Sequence, residues 1–148
     1  MSIEAERPSF ETGLGFLLAR LGSMVESAWS EVLSEHDLTN AQYNVLAVLA
    51  EFGPQNQADV AKRVAVDPRN VVKTVAALTG RGLVSAEVTR ADGRAKTLRI
   101  TNPGRGALEA FTDQLPSQRS TFTRVLSPEE ELELTRLVRK LYADHAGG

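Results

Sequence analysis

At 148 residues the chain fits one domain, and its 42% apolar content, before 11 glycines are counted, excludes wholesale disorder. The absence of cysteine excludes disulfides, thiolate metal sites and thiol redox sensing. A net charge of −2 argues, taken whole, against a nucleic-acid partner, because domains that bind polyanions usually carry a basic balance. No run approaches the roughly 18 consecutive apolar residues of a membrane span, and the acidic start MSIEAERPSFE is unlike a signal peptide, so a soluble, cytoplasmic protein is expected.

The first predicted element is a helix from about Ser9 to His36. Leu14, Leu17, Leu18, Leu21, Val25, Ala28 and Val32 recur at three- and four-residue steps, the period of one helix face. Gly13, Gly15 and Gly22 each weaken it by roughly 1 kcal/mol relative to alanine, so tertiary or partner contacts must support it. Thr39 with Gln42 forms a capping box that opens a second helix, with Leu46 and Leu49 facing inward and Gly53-Pro54 ending it. A short third helix is capped by Asn56 and buries Val60, Ala61 and Val64. Asp67-Pro68 starts a fourth, with Pro68 at the first helical position; Val71, Val75 and Leu78 form its apolar stripe, and Gly80 and Gly82 bracket its end.

The period then changes to two. Val84, Ala86 and Val88 alternate with Ser85, Glu87 and Thr89, and Leu98 and Ile100 alternate with Thr97 and Arg99. Two such runs around Arg90-Ala91-Asp92-Gly93 read as a β-hairpin. Helix returns after Thr101 with Leu108, Phe111 and Leu115 spaced for burial, and Pro116 is expected to kink or end it. Ser127-Pro128-Glu129-Glu130 caps a final helix whose stripe is Leu134, Leu137, Val138 and Leu141.

The charge is unevenly placed. From Asp59 to Arg105 ten cations face four anions, a local net of +6, while the rest carries seven cations and fifteen anions, a net of −8. Such a basic middle suits a polyanion, and acidic ends avoid one. Two short helices joined by Ala65-Val66-Asp67 and followed by a hairpin describe a winged helix-turn-helix. The expected class is therefore mainly α with a small β-hairpin wing. With Val71, Val75 and Leu78 inward, the fourth helix presents Arg69, Asn70, Val72, Lys73 and Thr74 to a major groove. Arg pairs with guanine, Asn with adenine, and valine suits a thymine methyl. At the hairpin tip, Arg90, Arg94 and Lys96 suit a minor groove, with Asp92 bracing Arg94. Taken singly, each of these residues also reads as an ordinary solvated surface group.

From about Leu38 to Leu141 the chain resembles the MarR family of winged-helix transcriptional regulators. The resemblance rests on LTNAQYNVLAVLAEFGPQNQADVAKRVAVD, VVKTVAALTGRGLV, RADGRAK, ITNPGRGALE and LSPEEELELTRLVRKL. It implies a homodimer whose N- and C-terminal helices (9–36 and 105–145) interlock around a DNA-binding lobe at 38–104. Two recognition helices would then meet a pseudo-palindrome on double-stranded DNA. It also implies repression of nearby genes, relieved by a small aromatic or anionic ligand, in the nucleoid of a bacterium or archaeon. The terminal helices fit this picture independently, since their apolar stripes need covering and isolated helices are marginal in water.

Departures from the family pattern bear on specificity and geometry. Family members commonly carry Ser or Thr where Arg69, Asn70 and Val72 stand. Asn102-Pro103 replaces a more usual Pro-small pair, and Pro116 falls in a helix that usually runs long. The missing cysteine removes the oxidation-sensing branch, and two histidines, His36 and His145, are too few for a zinc-sensing cluster. Trp29, His36 and Tyr43 are candidates for an aromatic effector pocket, as in urate-responsive relatives with a tryptophan on the first helix; packing of Trp29 and Tyr43 at the dimer interface is the alternative. No catalytic nucleophile, phosphate loop or metal site is expected, and Glu129-Glu130-Glu131 is explained by the helix dipole. A winged-helix protein-interaction module is the other reading, but it needs an apolar face where only Val72 supplies one.

Overall fold

The structure is a computed structural model that describes residues 13–64, 68–88, 96–114 and 122–146. Its elements are α1 (Leu14–Glu35), α2 (Asn40–Phe52), α3 (Gln57–Val64), α4 (Pro68–Gly80), β1 (Val84–Val88), β2 (Lys96–Ile100), α5 (Asn102–Thr112) and α6 (Pro128–Ala146). The described residues up to Asp113 form one compact unit and those from Gln114 onward a second. The winged-helix order expected from the sequence is present. The predicted Asp67 cap, the hairpin tip, Leu115 and Pro116 lie outside the described residues.

Local chemistry sets the helix ends. The capping box at α2 is complete: the Gln42 amide donates to Thr39 Oγ1 at 3.1 Å, and the Thr39 amide donates to Gln42 Oε1 at 3.1 Å. Asn56 caps α3 through its Oδ1, which accepts from the Asp59 amide at 2.8 Å. α1 stops where Asp37 enters the left-handed region at φ 57°. The Leu38 amide then reaches the Leu33 carbonyl at 2.9 Å and the Asp37 amide the Ser34 carbonyl at 3.1 Å. The same double bond closes α4, with Gly82 at φ 74° and the Leu83 amide on the Leu78 carbonyl at 3.0 Å. Buried Leu33–Leu38 and Leu78–Leu83 provide the apolar residues that accompany each closure.

The core of the first unit draws one or more side chains from every element in it. Leu33, Val45, Leu46, Leu49, Val60, Val71, Leu78, Val84, Leu98 and Phe111 are fully buried. β1 and β2 pair antiparallel with Val84 opposite Ile100 and Ala86 opposite Leu98. Gln55, in the α2–α3 link, adds a short bridge to this sheet through both backbone bonds to Leu98, at 3.1 and 2.7 Å. The period-two pattern is only half realised as burial. Val84 and Leu98 at the base are buried, but Ala86 and Val88 are exposed, because the ribbon leaves the lobe and has nothing to pack on.

α5 is fastened to the end of α4. Its cap, Thr101, accepts from the Gly104 amide at 3.1 Å, donates its hydroxyl to the Gly82 carbonyl at 2.6 Å, and donates its amide to the Leu83 carbonyl at 3.1 Å. Gly104 is buried against that same carbonyl: a Cβ there would stand 2.1 Å from Leu83 O and 2.8 Å from Ile100 Cγ1. α5 ends at Thr112, ahead of Pro116.

In the second unit, α6 starts with the predicted box. The Glu130 amide donates to Ser127 Oγ at 3.1 Å and the Ser127 amide to Glu130 Oε1 at 3.0 Å. Two hydrogen bonds from Arg136 hold the Glu133 carboxyl below its usual range, an exposed pair of little consequence for stability. The apolar stripes of α1 and α6 remain largely uncovered in the single chain: Leu14, Leu17, Leu18 and Leu21 on one, and Leu134, Leu137, Val138 and Leu141 on the other, are all exposed. On α1, Val25, Ala28 and Trp29 are half-buried, and full burial is reached at Val32 and Leu33. No helix among the described residues is long and apolar enough to cross a membrane.

Candidate nucleic-acid interface

α4 is held by the residues expected to hold it. Val71, Val75 and Leu78 are buried, which turns Arg69, Val72, Lys73 and Ala76 outward. Lys73 stands nearly opposite that stripe at 100° per residue, the centre of the outward face. Asn70 is exposed on one flank, where it lines a cleft of about 340 Å³ between α2, α3 and α4, with Ala41, Asn44 and Val64 opposite. Thr74 lines the same cleft, is half-buried, and donates its hydroxyl back to the Asn70 carbonyl at 2.8 Å. Its hydroxyl is therefore committed within the helix. Of the wing residues, Lys96 opens β2 and is exposed, while Arg90, Asp92 and Arg94 lie outside the described residues.

Two further cations frame the lobe in ways that sequence spacing did not single out. Arg63, in the last turn of α3, lies 3.7 Å over the Phe52 ring and donates to Gln55 Oε1 at 3.3 Å, so its guanidinium is pre-positioned on an exposed rim. Arg81, in the turn after α4, donates to the Asp37 carbonyl and to Gln42 Oε1. It ties the end of the outward-facing helix to the α1–α2 corner. Neither pairing shows in the sequence, since each partner belongs to another element.

The candidate effector residues separate. Trp29 and Tyr43 meet edge to face at 5.8 Å, and both pack on Phe111 of α5, at 6.0 and 4.8 Å. The rings thus close a cluster inside the single chain through Phe111, which the sequence marked only as an apolar position. His36 makes none of these ring contacts; it is the C-cap of α1, with Nε2 buried and without a hydrogen-bond partner. Burial, reinforced by the Glu51 carboxylate, raises the Tyr43 phenol above its ordinary pKa. With the folded-state value raised, the Tyr43 contribution to stability is complete below pH about 10 and is lost as pH rises through the folded-state pKa. Absorbance titration of phenolate should therefore show Tyr43 ionising above the ordinary phenol range, and this late step should vanish in Tyr43→Phe. A titration with no such late step would contradict the packing described for Tyr43.

The MarR family model matches residues 36–95, which span α2 to the wing. An HTH-type transcriptional regulator from Bacillus cereus is 32% identical over 126 residues, 84% of each chain. The chain belongs to the MarR family. MarR-family structures share its architecture. Bordetella bronchiseptica BpsR, from a study of how 6-hydroxynicotinic acid regulates its DNA binding, superposes with a TM-score of 0.78 at 26% identity over 86% of this chain and 97% of its own. A MarR-family regulator from Rhodococcus sp. RHA1 gives 0.77 at 26% identity over 90% and 91%. An Escherichia coli MarR variant complexed with operator DNA gives 0.77 over 86% and 92%, and at 22% identity speaks for the fold alone. The protein is a MarR-family transcriptional regulator with a DNA-binding winged helix. Relatives of this kind are transcriptional regulators rather than enzymes.

Proposed function

We propose that the protein is a homodimeric, ligand-responsive repressor that places one α4 in each half of a pseudo-palindromic operator. The observation that carries this reading is the outward face of α4: Arg69, Asn70, Val72 and Lys73 are exposed together on a helix whose opposite side is buried. The E. coli variant of the same fold is complexed with operator DNA, which supports duplex DNA as the partner. The uncovered stripes of α1 and α6 support a dimer, because a second copy is the simplest cover for apolar faces of that length. An adaptor for proteins alone would need an apolar face on α4, and Val72 is flanked there by Arg69 and Lys73.

In this reading Lys73 contacts phosphate and Arg69 a base edge. Lys73→Ala is expected to weaken binding to all sequences and to lower the log–log salt slope by about 1 per protomer. Arg69→Ala is expected to cost roughly 1–3 kcal/mol per half-site and relax selectivity at one base pair. Titrating both variants against the operator at several salt concentrations checks the assignment. Equal salt slopes for Lys73→Ala and the parent would contradict it. Half-sites should lie about one helical turn, roughly 10 base pairs, apart.

We further place an aromatic acid effector beside the Trp29–Tyr43 pair; regulation of BpsR by 6-hydroxynicotinic acid supports that chemical class. Trp29 is the sole tryptophan. Phenolic acids, urate or 6-hydroxynicotinic acid should quench its fluorescence and release DNA. A panel that does neither would exclude this site.

A further inference from the structure

The outward face of α4 contains an apolar strip among its cations. Val72 keeps 51% of its surface exposed, and Ala76, one turn on, is exposed as well. At positions i and i+4 they lie about 40° apart on the helix, with Arg69 about 20° and Lys73 about 60° beyond Ala76 on the same outward face. Single exposed valines are ordinary on protein surfaces. This one sits within a helix, where an exposed β-branched residue is a poorer helix former than a lysine or an alanine such as Lys73 or Ala76 beside it. It lies on the flank of α4, about 100° from Val71 and about 60° from Val75, and keeps half of its surface open to solvent. Among groups displayed in the major groove, the C5-methyl of thymine is the one apolar contact, and cytosine lacks it.

We propose that Val72, continued by Ala76, recognises the C5-methyl group of a pyrimidine in each half-site, so that the methyl itself contributes to operator selection. Arg69 and Lys73 bring the helix to the groove and place hydrogen bonds and charge, while the short Ala76 side chain lets the backbone come close enough for Val72 to reach the methyl. The assignment rests on the DNA-binding reading above and adds to it a specificity determinant distinct from the hydrogen-bonding residues.

The test begins with selection of binding sites from a random duplex pool by the full-length protein. Each thymine of the recovered site is then replaced singly by deoxyuridine, which removes only the methyl, and binding is measured for the parent, Val72→Ala and Val72→Thr. The parent should lose about fourfold in affinity at one or two thymines per half-site, the scale of one buried methyl. Val72→Ala should bind the thymine site about as weakly as the parent binds the deoxyuridine site, and should be indifferent to the exchange. Val72→Thr, which keeps one branch methyl, should retain part of the sensitivity. Cytosine at the same position should be partly rescued by 5-methylcytosine. Because Val72 is exposed, the variants should melt at the parent's temperature. If a site is recovered and every deoxyuridine duplex binds like its parent, or if Val72→Ala stays fully sensitive, methyl recognition is wrong while DNA binding stands. If the folded protein enriches no sequence, the DNA-binding reading itself fails and the present assignment with it.

Discussion

Phe111→Ala should destabilise the protein by about 3–5 kcal/mol, the range for removing a fully buried aromatic side chain without collapse of the site. Phe111 has no exposed surface and its ring stands 4.8 Å from Tyr43 and 6.0 Å from Trp29. Loss of the ring removes both of its edge-to-face contacts with the pair and leaves a void between α1, α2 and α5. At about 3 °C per kcal/mol for a chain of this size, the melting temperature should fall by roughly 10 °C. Trp29 emission should shift to the red as water reaches the indole. Phe111→Leu, which refills most of the volume, should recover more than half of the loss. A Phe111→Ala protein that melts within a degree or two of the parent would contradict the cluster.

The second large effect is expected from a single added methyl. Gly104→Ala brings a Cβ to 2.1 Å from the Leu83 carbonyl oxygen, and that oxygen already accepts the Thr101 amide. The neighbour is backbone, fixed by the closure of α4 on one side and β1 on the other, so no side chain can swing away. The cost should reach the upper end of the roughly 1–3 kcal/mol typical of overpacking. It should also appear in function, because the residues that must shift, Gly82 to Val84, connect α4 to the wing. The expected signature is weaker DNA binding than the stability loss explains, measured well below the melting transition. Gly106, two residues on and facing the other side of α5 with open space at its Cβ, provides the control: Gly106→Ala should be neutral or slightly stabilising.

What could be read in advance was what short-range chemistry determines. Thr39 with Gln42, Ser127 with Glu130, Asn56, and Pro68 at the first turn each act within four residues, and each stands where the spacing placed it. The outward face of α4 followed from Val71, Val75 and Leu78, since a helix with three buried positions has only one way to present the rest. Contacts between distant elements were not legible. Phe111 as the floor of the aromatic pair, Arg81 on the α1–α2 corner and the Leu83 carbonyl against Gly104 join residues far apart in sequence. Periodicity also overstated burial where a partner is missing: the α1 leucines and Ala86 and Val88 of the wing have the right spacing, but the single chain offers them no surface to cover. The net charge of −2 misled for a related reason, since it averages a +6 segment with a −8 remainder.

The central claim is that α4 of a dimer reads operator DNA, and the most direct measurement is binding of the purified protein to the DNA immediately upstream of its own coding sequence at low salt. Fluorescence anisotropy with stoichiometric titration should show saturable binding of two protomers per site, falling steeply as salt rises and lost in the Arg69→Ala, Lys73→Ala double variant. A folded, dimeric protein that leaves this DNA free at low salt, or a double variant that binds it as tightly as the parent, would contradict the account.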